Sequence, residues 1–332
     1  MTSYTVRNIS LLASLFTLVV ISVGAWVRLT HAGLGCPDWP GCYGILGTPT
    51  SDIELAEAKK LYPDAVIDTG KAWREMLHRY LAGTLGIFIF YVSYLTLKYA
   101  KHVPKLLPIS LIVLIIVQSL MGMLTVTELV KPTIVTIHLV LGITTATLLL
   151  WNSFKIYNFT IDVRVDKKLT KLIILCTFAL IVQIILGGWT STNYASLACT
   201  DFPKCSDEWW PSNMNYSDAF TIINLPDINY ELAPLAYNAK LAIHFTHRFG
   251  ALILTILFSL LFIYLFFIQS NQQIKKIGYI VLIFFVLQVT LGVFNVVYSL
   301  PISIAVLHTV NASILLMSMI TLLYYSTYCI QK

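Results

Sequence analysis

The sequence predicts an all-α polytopic membrane protein with eight transmembrane helices, arranged as two tandem four-helix bundles related by pseudo-two-fold symmetry. Of its 332 residues, 57% are hydrophobic and only 11% are charged, which is more apolar surface than a soluble domain can bury. The apolar residues form long runs, and the second half of the chain repeats landmarks of the first. Composition, long runs and the internal repeat together predict this fold class.

Eight apolar runs are each at least about 18 residues long, enough to cross roughly 30 Å of hydrocarbon. They span about 9–28, 74–98, 106–127, 132–153, 169–191, 240–268, 276–298 and 301–327. In lipid each run must satisfy its own backbone hydrogen bonds, so we expect all eight to be helices. The first run is too long for the apolar core of a signal peptide and no A-x-A cleavage site follows it, so we expect it to be retained.

Lys and Arg concentrate in alternate short loops, which the positive-inside rule places in the cytoplasm. These basic residues are Arg7, Lys98, Lys101, Lys105, Lys155, Arg164, Lys167, Lys168, Lys171, Lys275, Lys276 and Lys332. We therefore predict that both termini are cytoplasmic and that the long loops 29–73 and 192–239 lie outside. Fourteen of the 16 acidic residues fall on that outer side or just inside it, so the net charge of +6 reflects topology rather than a nucleic-acid partner.

An internal duplication is visible in the cysteine loops. The pattern C-x-D-[WF]-P-x-C occurs at 36–42 and again at 199–205, an offset of 163 residues. Further landmarks recur in the same order at offsets of 169 or 170: Glu75-x-x-His78-Arg79 and His244-x-x-His247-Arg248, Gln118 with Gly122 and Gln288 with Gly292, Pro132 with His138 and Pro301 with His308. We predict two parallel four-helix units, residues 1–160 and 161–332, related by an axis along the membrane normal.

Four histidines occupy matched positions near the outer ends of predicted helices: His78, His138, His247 and His308. One histidine on an apolar face is usually a packing residue, but ionisable groups within a membrane are costly and rarely idle. At about 1.5 Å per residue, each lies roughly 8–9 Å inside the outer boundary. Two imidazoles at one depth can bind haem iron from opposite faces. Zinc is the weaker interpretation, because it usually takes three or four protein ligands.

The two halves differ beside these histidines. Glu75 lies one helical turn before His78, on the same face, whereas the second half has His244 there. A carboxylate at that depth is a candidate general base, and an ion pair with a neighbouring arginine is the alternative. Arg79 and Arg248 directly follow two of the histidines. They are candidates for pairing with haem propionates, or they extend to the outer interface. No firm role follows for His244.

The cysteines divide into loop pairs and helix residues. Cys36 with Cys42, and Cys199 with Cys205, lie in the outer loops and face an oxidising compartment, so we expect two disulfides. A structural staple is the simplest role, and a redox-active pair that passes electrons to an external acceptor is the alternative. The first pair, above Glu75, is the better redox candidate. Cys176 and Cys329 lie in predicted helices, where we expect them to be inert packing residues.

These motifs resemble those of the haem A synthase family. The segment 24–30, GAWVRLT, and the segment 33–40, GLGCPDWP, resemble the first outer loop of that family. The four histidines and Glu75 look like the family's histidines and acidic residue, and the paired cysteines match a subgroup that carries them. The resemblance covers essentially the whole chain.

The resemblance implies an oxidoreductase of the bacterial inner membrane that oxidises the C8 methyl of haem O to a formyl group. It implies that Glu75, His78 and His138 form the substrate site, and that His247 and His308 hold a haem b cofactor. The expected partners are haem O, delivered by a haem O synthase, membrane lipid, and an electron acceptor that the sequence does not identify. A homo-oligomer is compatible with the sequence.

Three other functions explain part of these motifs. A dihaem b-type electron-transfer protein explains the histidines but not Glu75 or the cysteine loops, and its haems normally lie at different depths. A quinone-linked disulfide generator explains the cysteines, but it typically uses C-x-x-C and needs no histidine pairs. A transporter suits the repeats, but its ionisable groups lie near the midplane. Pigment analysis of the purified protein separates these functions.

Overall fold

The computed structural model describes residues 2–157, 166–269 and 271–328, and nearly all regular structure in these ranges is helical. The helices are α1 (Ser3–Leu29), α2 (Asp52–Leu61), α3 (Thr69–Tyr99), α4 (Leu106–Thr127), α5 (Pro132–Tyr157), α6 (Lys167–Thr192), α7 (Tyr216–Ala219), α8 (Tyr237–Ile263), α9 (Gln272–Val297) and α10 (Ile302–Tyr328). Helix α8 continues as a π-helix over Tyr264–Ile268. Within the described ranges eight helices, all except α2 and α7, are long and apolar enough to cross a membrane. The predicted eight-helix, all-α fold is confirmed.

Two transmembrane helices begin earlier than their apolar runs predict, because polar residues cap them. Helix α3 starts five residues early, after Asp68, whose Oδ1 accepts a hydrogen bond from the backbone N–H of Lys71 at 2.9 Å. Helix α1 starts after Thr2, whose hydroxyl accepts from the backbone N–H of Thr5. A hydropathy window excludes these polar first turns.

Four helices form the centre of the molecule. Helices α1 and α5 of the first half pack on α6 and α10 of the second, while α3 and α4 flank the first pair and α8 and α9 flank the second. The counterparts of α1 and α5 in the second half are α6 and α10. The contact of α1 with α10 therefore corresponds to that of α6 with α5, and these are the main contacts between the halves. This arrangement agrees with the predicted pseudo-two-fold relation. The division into units 1–160 and 161–332 stays a prediction.

The turns of the two repeats have the same unusual backbone conformation. Left-handed φ angles between 50° and 62° occur at non-glycine residues in matched places: His31 and Tyr194, Tyr43 and Ser206, Leu129 and Ser299, Val130 and Leu300. Few non-glycine residues adopt this region. Eight such residues at the repeat offsets therefore extend the duplication from sequence to backbone.

The second outer loop crosses onto the first half. The Lys131 ammonium lies 2.5 Å from a carboxylate oxygen of Asp227, and the Tyr230 backbone N–H donates to the Leu129 carbonyl at 3.2 Å. Glu231 Oε1 accepts from the backbone N–H of Gly33 at 2.9 Å. These contacts fix the two outer loops relative to each other above the central helices.

Candidate active site

Each of the four predicted ligand histidines lies on a long helix and packs its ring against a glycine of a neighbouring helix. A Cβ atom built on the glycine would lie 2.8 Å from Cε1 of His78 at Gly24, 3.3 Å from that of His138 at Gly122, 3.1 Å from that of His247 at Gly187 and 3.2 Å from that of His308 at Gly292. Carbon atoms in ordinary contact lie about 3.5–4.0 Å apart. A side chain at Gly24 would therefore force the His78 ring to move, and one at any of the other three glycines would push its imidazole by a few tenths of an ångström.

The histidines form one pair in each half. His78 and His138 lie close enough for their charges to interact, and so do His247 and His308. Within residues 2–157, 166–269 and 271–328, no three His, Cys, Asp or Glu side chains converge as a metal-ion site. Each half therefore offers two imidazoles, the number that the axial positions of a haem iron require.

Three of the imidazoles have a buried nitrogen with no hydrogen-bond partner: Nδ1 of His78, His138 and His308. An unpaired buried polar atom costs free energy, and most such atoms in proteins are paired or take part in function. Rings of this kind, seated on glycines and near a second imidazole, fit the binding of a planar iron macrocycle.

Glutamines support the second histidine of each pair. The Gln118 amide donates to the His138 carbonyl at 3.0 Å, and its nitrogen lies 3.5 Å from His138 Nε2. The Gln288 amide nitrogen lies 3.2 Å from His308 Nε2. Asn311 donates to Gln288 Oε1 at 2.8 Å, which fixes that amide. The repeat landmarks Gln118 and Gln288 are therefore neighbours of the histidines.

Glu75 is buried beside His78 and joins the helix to the disulfide loop. Its Oε1 lies 2.5 Å from Arg79 Nη2, and its Oε2 accepts from the backbone N–H of Cys36 at 2.8 Å. Only 5% of the residue is exposed. The carboxylate is thus held at both oxygens, one helical turn from a predicted ligand.

His244 does in the second half what Glu75 does in the first. Its Nδ1 accepts from the backbone N–H of Cys199 at 3.0 Å, and the residue is 4% exposed. No role for His244 could be predicted from the sequence. The structure shows that each residue accepts a hydrogen bond from the backbone N–H of the leading cysteine of its loop. The two halves therefore share this contact, but the first makes it with a carboxylate and the second with an imidazole.

The arginines after His78 and His247 bind the disulfide loops. Arg79 donates to the carbonyls of Asp38 and Pro40 at 2.9 and 3.3 Å and to that of Gly41. Arg248 donates to the equivalent carbonyls at 2.8–2.9 Å, those of Asp201, Pro203 and Lys204. Their predicted pairing with haem propionates stays a prediction.

Both cysteine loops contain a disulfide and share one fold. Cys36 is bonded to Cys42, and Cys199 to Cys205. The aspartate inside each loop caps its turn: Asp38 accepts from the backbone N–H of Tyr43 at 2.6 Å, as Asp201 does from that of Ser206. Burial, with the negative charges of Glu75 and Asp38, raises the pKa of Tyr43, which therefore stays protonated. Cys176 is buried with a free thiol, as expected, and Cys329 lies outside the described residues.

Comparison with known proteins identifies the family. The sequence profile of the cytochrome oxidase assembly protein family matches residues 7–320. The haem A synthase of Shewanella oneidensis is 43% identical over 313 residues, which cover 93% of each chain. The chain belongs to the haem A synthase family. Members from Ehrlichia ruminantium and Neorickettsia sennetsu are 27% and 26% identical, over 93% and 91% of this chain and 89% and 93% of theirs.

Two features of this haem A synthase family member were missed by sequence reasoning. One is the pair of glycines beneath His78 and His247, Gly24 and Gly187, which match at an offset of 163. The other is Gln183, whose amide nitrogen lies 3.0 Å from His247 Nδ1. No repeated motif marks Gln183, because the first half has Val20 in that place.

Proposed function

We propose that this chain is a haem A synthase, a membrane oxidoreductase that oxidises the C8 methyl of haem O to the formyl group of haem A. Its family membership and its 43% identity to a haem A synthase over 93% of both chains support this activity. The observation that carries the proposal is Glu75, a buried carboxylate beside the histidine pair of the first half only. A purely electron-transferring dihaem protein has no need for it.

The first half is proposed as the substrate site. His78 and His138 would hold the iron of haem O, and Glu75 would lie beside the macrocycle edge. The oxidation passes from methyl to alcohol to hydrated aldehyde, which loses water. Loss of water needs a group that takes a proton from one hydroxyl and returns it to the other, and a positioned carboxylate performs this exchange. Arg79, 2.5 Å from Glu75 Oε1, stabilises the ionised form.

The second half is proposed as the cofactor site, where His247 and His308 would hold haem b. When bound, haem b supplies one-electron redox chemistry, while the protein supplies position and surroundings. Arg79 and Arg248 are proposed to pair with propionates of the two haems. Each guanidinium has five N–H donors, so donation to the loop carbonyls leaves others for a carboxylate.

The membrane setting follows from the eight apolar helices. We propose that the protein lies in the bacterial inner membrane with both termini in the cytoplasm, so both histidine pairs lie near the outer face. Haem O is proposed to arrive from a haem O synthase through the lipid. The first disulfide, next to Glu75, is the proposed point of contact with the electron acceptor. A homo-oligomer remains compatible with this arrangement.

The test is haem extraction after expression in a host that makes haem O but no haem A. Wild-type protein should carry haem b and yield haem A. His247→Ala and His308→Ala should lose the low-spin haem b spectrum, whereas His78→Ala and His138→Ala should keep it and fail to make haem A. Haem b with no haem A from the wild type would favour the dihaem electron-transfer protein instead.

A further inference from the structure

The first histidine of the second pair, His247, has a side-chain contact that its counterpart His78 lacks. Gln183 on α6 donates from its amide nitrogen to the His247 carbonyl oxygen at 2.9 Å, and the same nitrogen lies 3.0 Å from His247 Nδ1. His247 is the one member of the four whose Nδ1 is not among the buried, unpartnered atoms of the described residues. Its ring is therefore held at Nδ1 as well as by the glycine beneath it.

The space for this amide is also specific to the second half. Gly250 on α8 packs directly against Gln183 Oε1, and a Cβ there would overlap that oxygen. In the first half the corresponding residues, at offsets of 163 and 169, are Val20 and Leu81. Val20 and Leu81 belong to one apolar cluster. The second half thus has a glutamine and a glycine where the first half has two apolar side chains.

We propose that Gln183, with the space left by Gly250, is a positioning residue that fixes the His247 imidazole and makes the second half retain its haem. This inference rests on the proposed placement of haem b in the second half. In the structure the amide nitrogen faces Nδ1, so Nδ1 is the acceptor there. An imidazole that binds iron through Nε2 carries its proton on Nδ1, and a half-turn of the Gln183 amide would then present its oxygen as the acceptor. Such a partner fixes the ring orientation and raises the basicity of the ligand.

The absence of this pair explains how the first half serves a passing substrate. No side chain bonds Nδ1 of His78: Val20 and Leu81 are apolar there, and only the backbone of Val20 offers the ring a polar partner. A ring that is not fixed binds iron less tightly, so haem can enter, react and leave. The difference at Gln183 and Gly250 thus makes the second half the retaining site and leaves the first half the exchanging one.

The experiment exchanges the pairs in the full-length protein in nanodiscs. The double variant Gln183→Val with Gly250→Leu gives the second half the side chains that the first half already packs. It should accumulate normally yet transfer haem b to apomyoglobin about 10-fold faster or more, since loss of a ligand-orienting partner typically costs 10–100-fold in affinity. Its haem b midpoint potential should rise, because the ligand becomes a weaker electron donor. A structural role alone would leave the potential of the remaining bound haem unchanged.

The reciprocal variant, Val20→Gln with Leu81→Gly, keeps the inference testable if the first variant does not fold. Both it and its control carry His308→Ala so that haemin binds to the first half alone. The reciprocal change should slow haemin release about 10-fold. Release rates and potential equal to wild type in Gln183→Val with Gly250→Leu, or unchanged release in the reciprocal variant, would overturn the inference. Wild-type protein that carries no haem b would instead overturn the proposed function.

Discussion

His31 stacks on Tyr194, the residue at its own position in the second repeat, with ring centroids 5.2 Å apart and planes 16° from parallel. Arg28 makes a contact of the same kind: its Nη2 donates to the carbonyl of its counterpart Ser191 at 2.5 Å. Around a two-fold axis, residues near the axis meet their own copies. These contacts support a pseudo-two-fold axis that passes between the C-terminal ends of α1 and α6.

The first prediction concerns topology. A reporter that is active only outside the cytoplasm should be active when fused at Thr50, in the first outer loop, and inactive at Lys101, between α3 and α4. The reason is the concentration of Lys and Arg in alternate loops. Reporter activity on the same side at both positions would contradict the eight-helix topology.

The second prediction concerns the glycines beneath the haem b ligands. Gly187→Ala and Gly292→Ala each place a Cβ 3.1–3.2 Å from an imidazole carbon, so His247 or His308 must shift. We expect haem b affinity to fall about 10-fold or more, as for other changes that misplace a ligand. Absorbance titration with haemin measures it.

Gly83→Ala is the matched control, because a Cβ there meets nothing within 4 Å. Removing a helix glycine in open space should leave haem binding unchanged and stabilise α3 by roughly 0.5–1 kcal/mol. If Gly187→Ala and Gly292→Ala bind haem b as tightly as Gly83→Ala does, the close packing of these glycines on His247 and His308 does not affect haem b affinity.

The third prediction separates the two disulfides. Replacing either pair by serines should destabilise the protein by about 2 kcal/mol, the chain-entropy value for a small closed loop. Loss of Cys36–Cys42 should also lower haem A formation, because the Cys36 backbone N–H positions Glu75. Loss of Cys199–Cys205 should instead weaken haem b retention, since Cys199 holds His244 in the same way. Thermal unfolding and haem extraction measure these effects, and identical effects of the two double variants would refute the distinction.

Much of the fold could be predicted from the sequence because the bilayer imposes a length and a composition on each helix. The matched histidines could be predicted because the duplication placed them at constant offsets. Helix α2 was missed although its capping box was readable: Ser51 and Glu54 each bond the other's backbone N–H. A hydropathy argument gives no weight to a short polar helix in an outer loop.

The parts that sequence reasoning missed depend on tertiary contact. The hydrogen bonds of Arg79 and Arg248 to the loop carbonyls are set by how each loop folds back over its helix. Gln183 and Gly250 lie on different helices, α6 and α8, and only packing brings them together. A repeat search finds what the halves share, so it overlooks a pair that distinguishes them.

The last prediction tests whether Glu75 serves the chemistry of the first half. Glu75→Gln keeps the shape of the side chain and can still accept from the backbone N–H of Cys36, but it loses the basic carboxylate. The variant should insert, keep its haem b and bind haem O, while haem A formation falls about 10²-fold or more, as expected for a positioned acid–base group. A structural ion pair with Arg79 predicts poor accumulation or haem loss with activity per folded molecule largely kept.

The direct measurement is haem A formed per mole of bound haem b in Glu75→Gln, compared with wild type in the same host. The account predicts a ratio reduced about 10²-fold at normal haem b content. A wild-type ratio would contradict it, because the carboxylate that distinguishes the first half would then take no part in the oxidation of haem O.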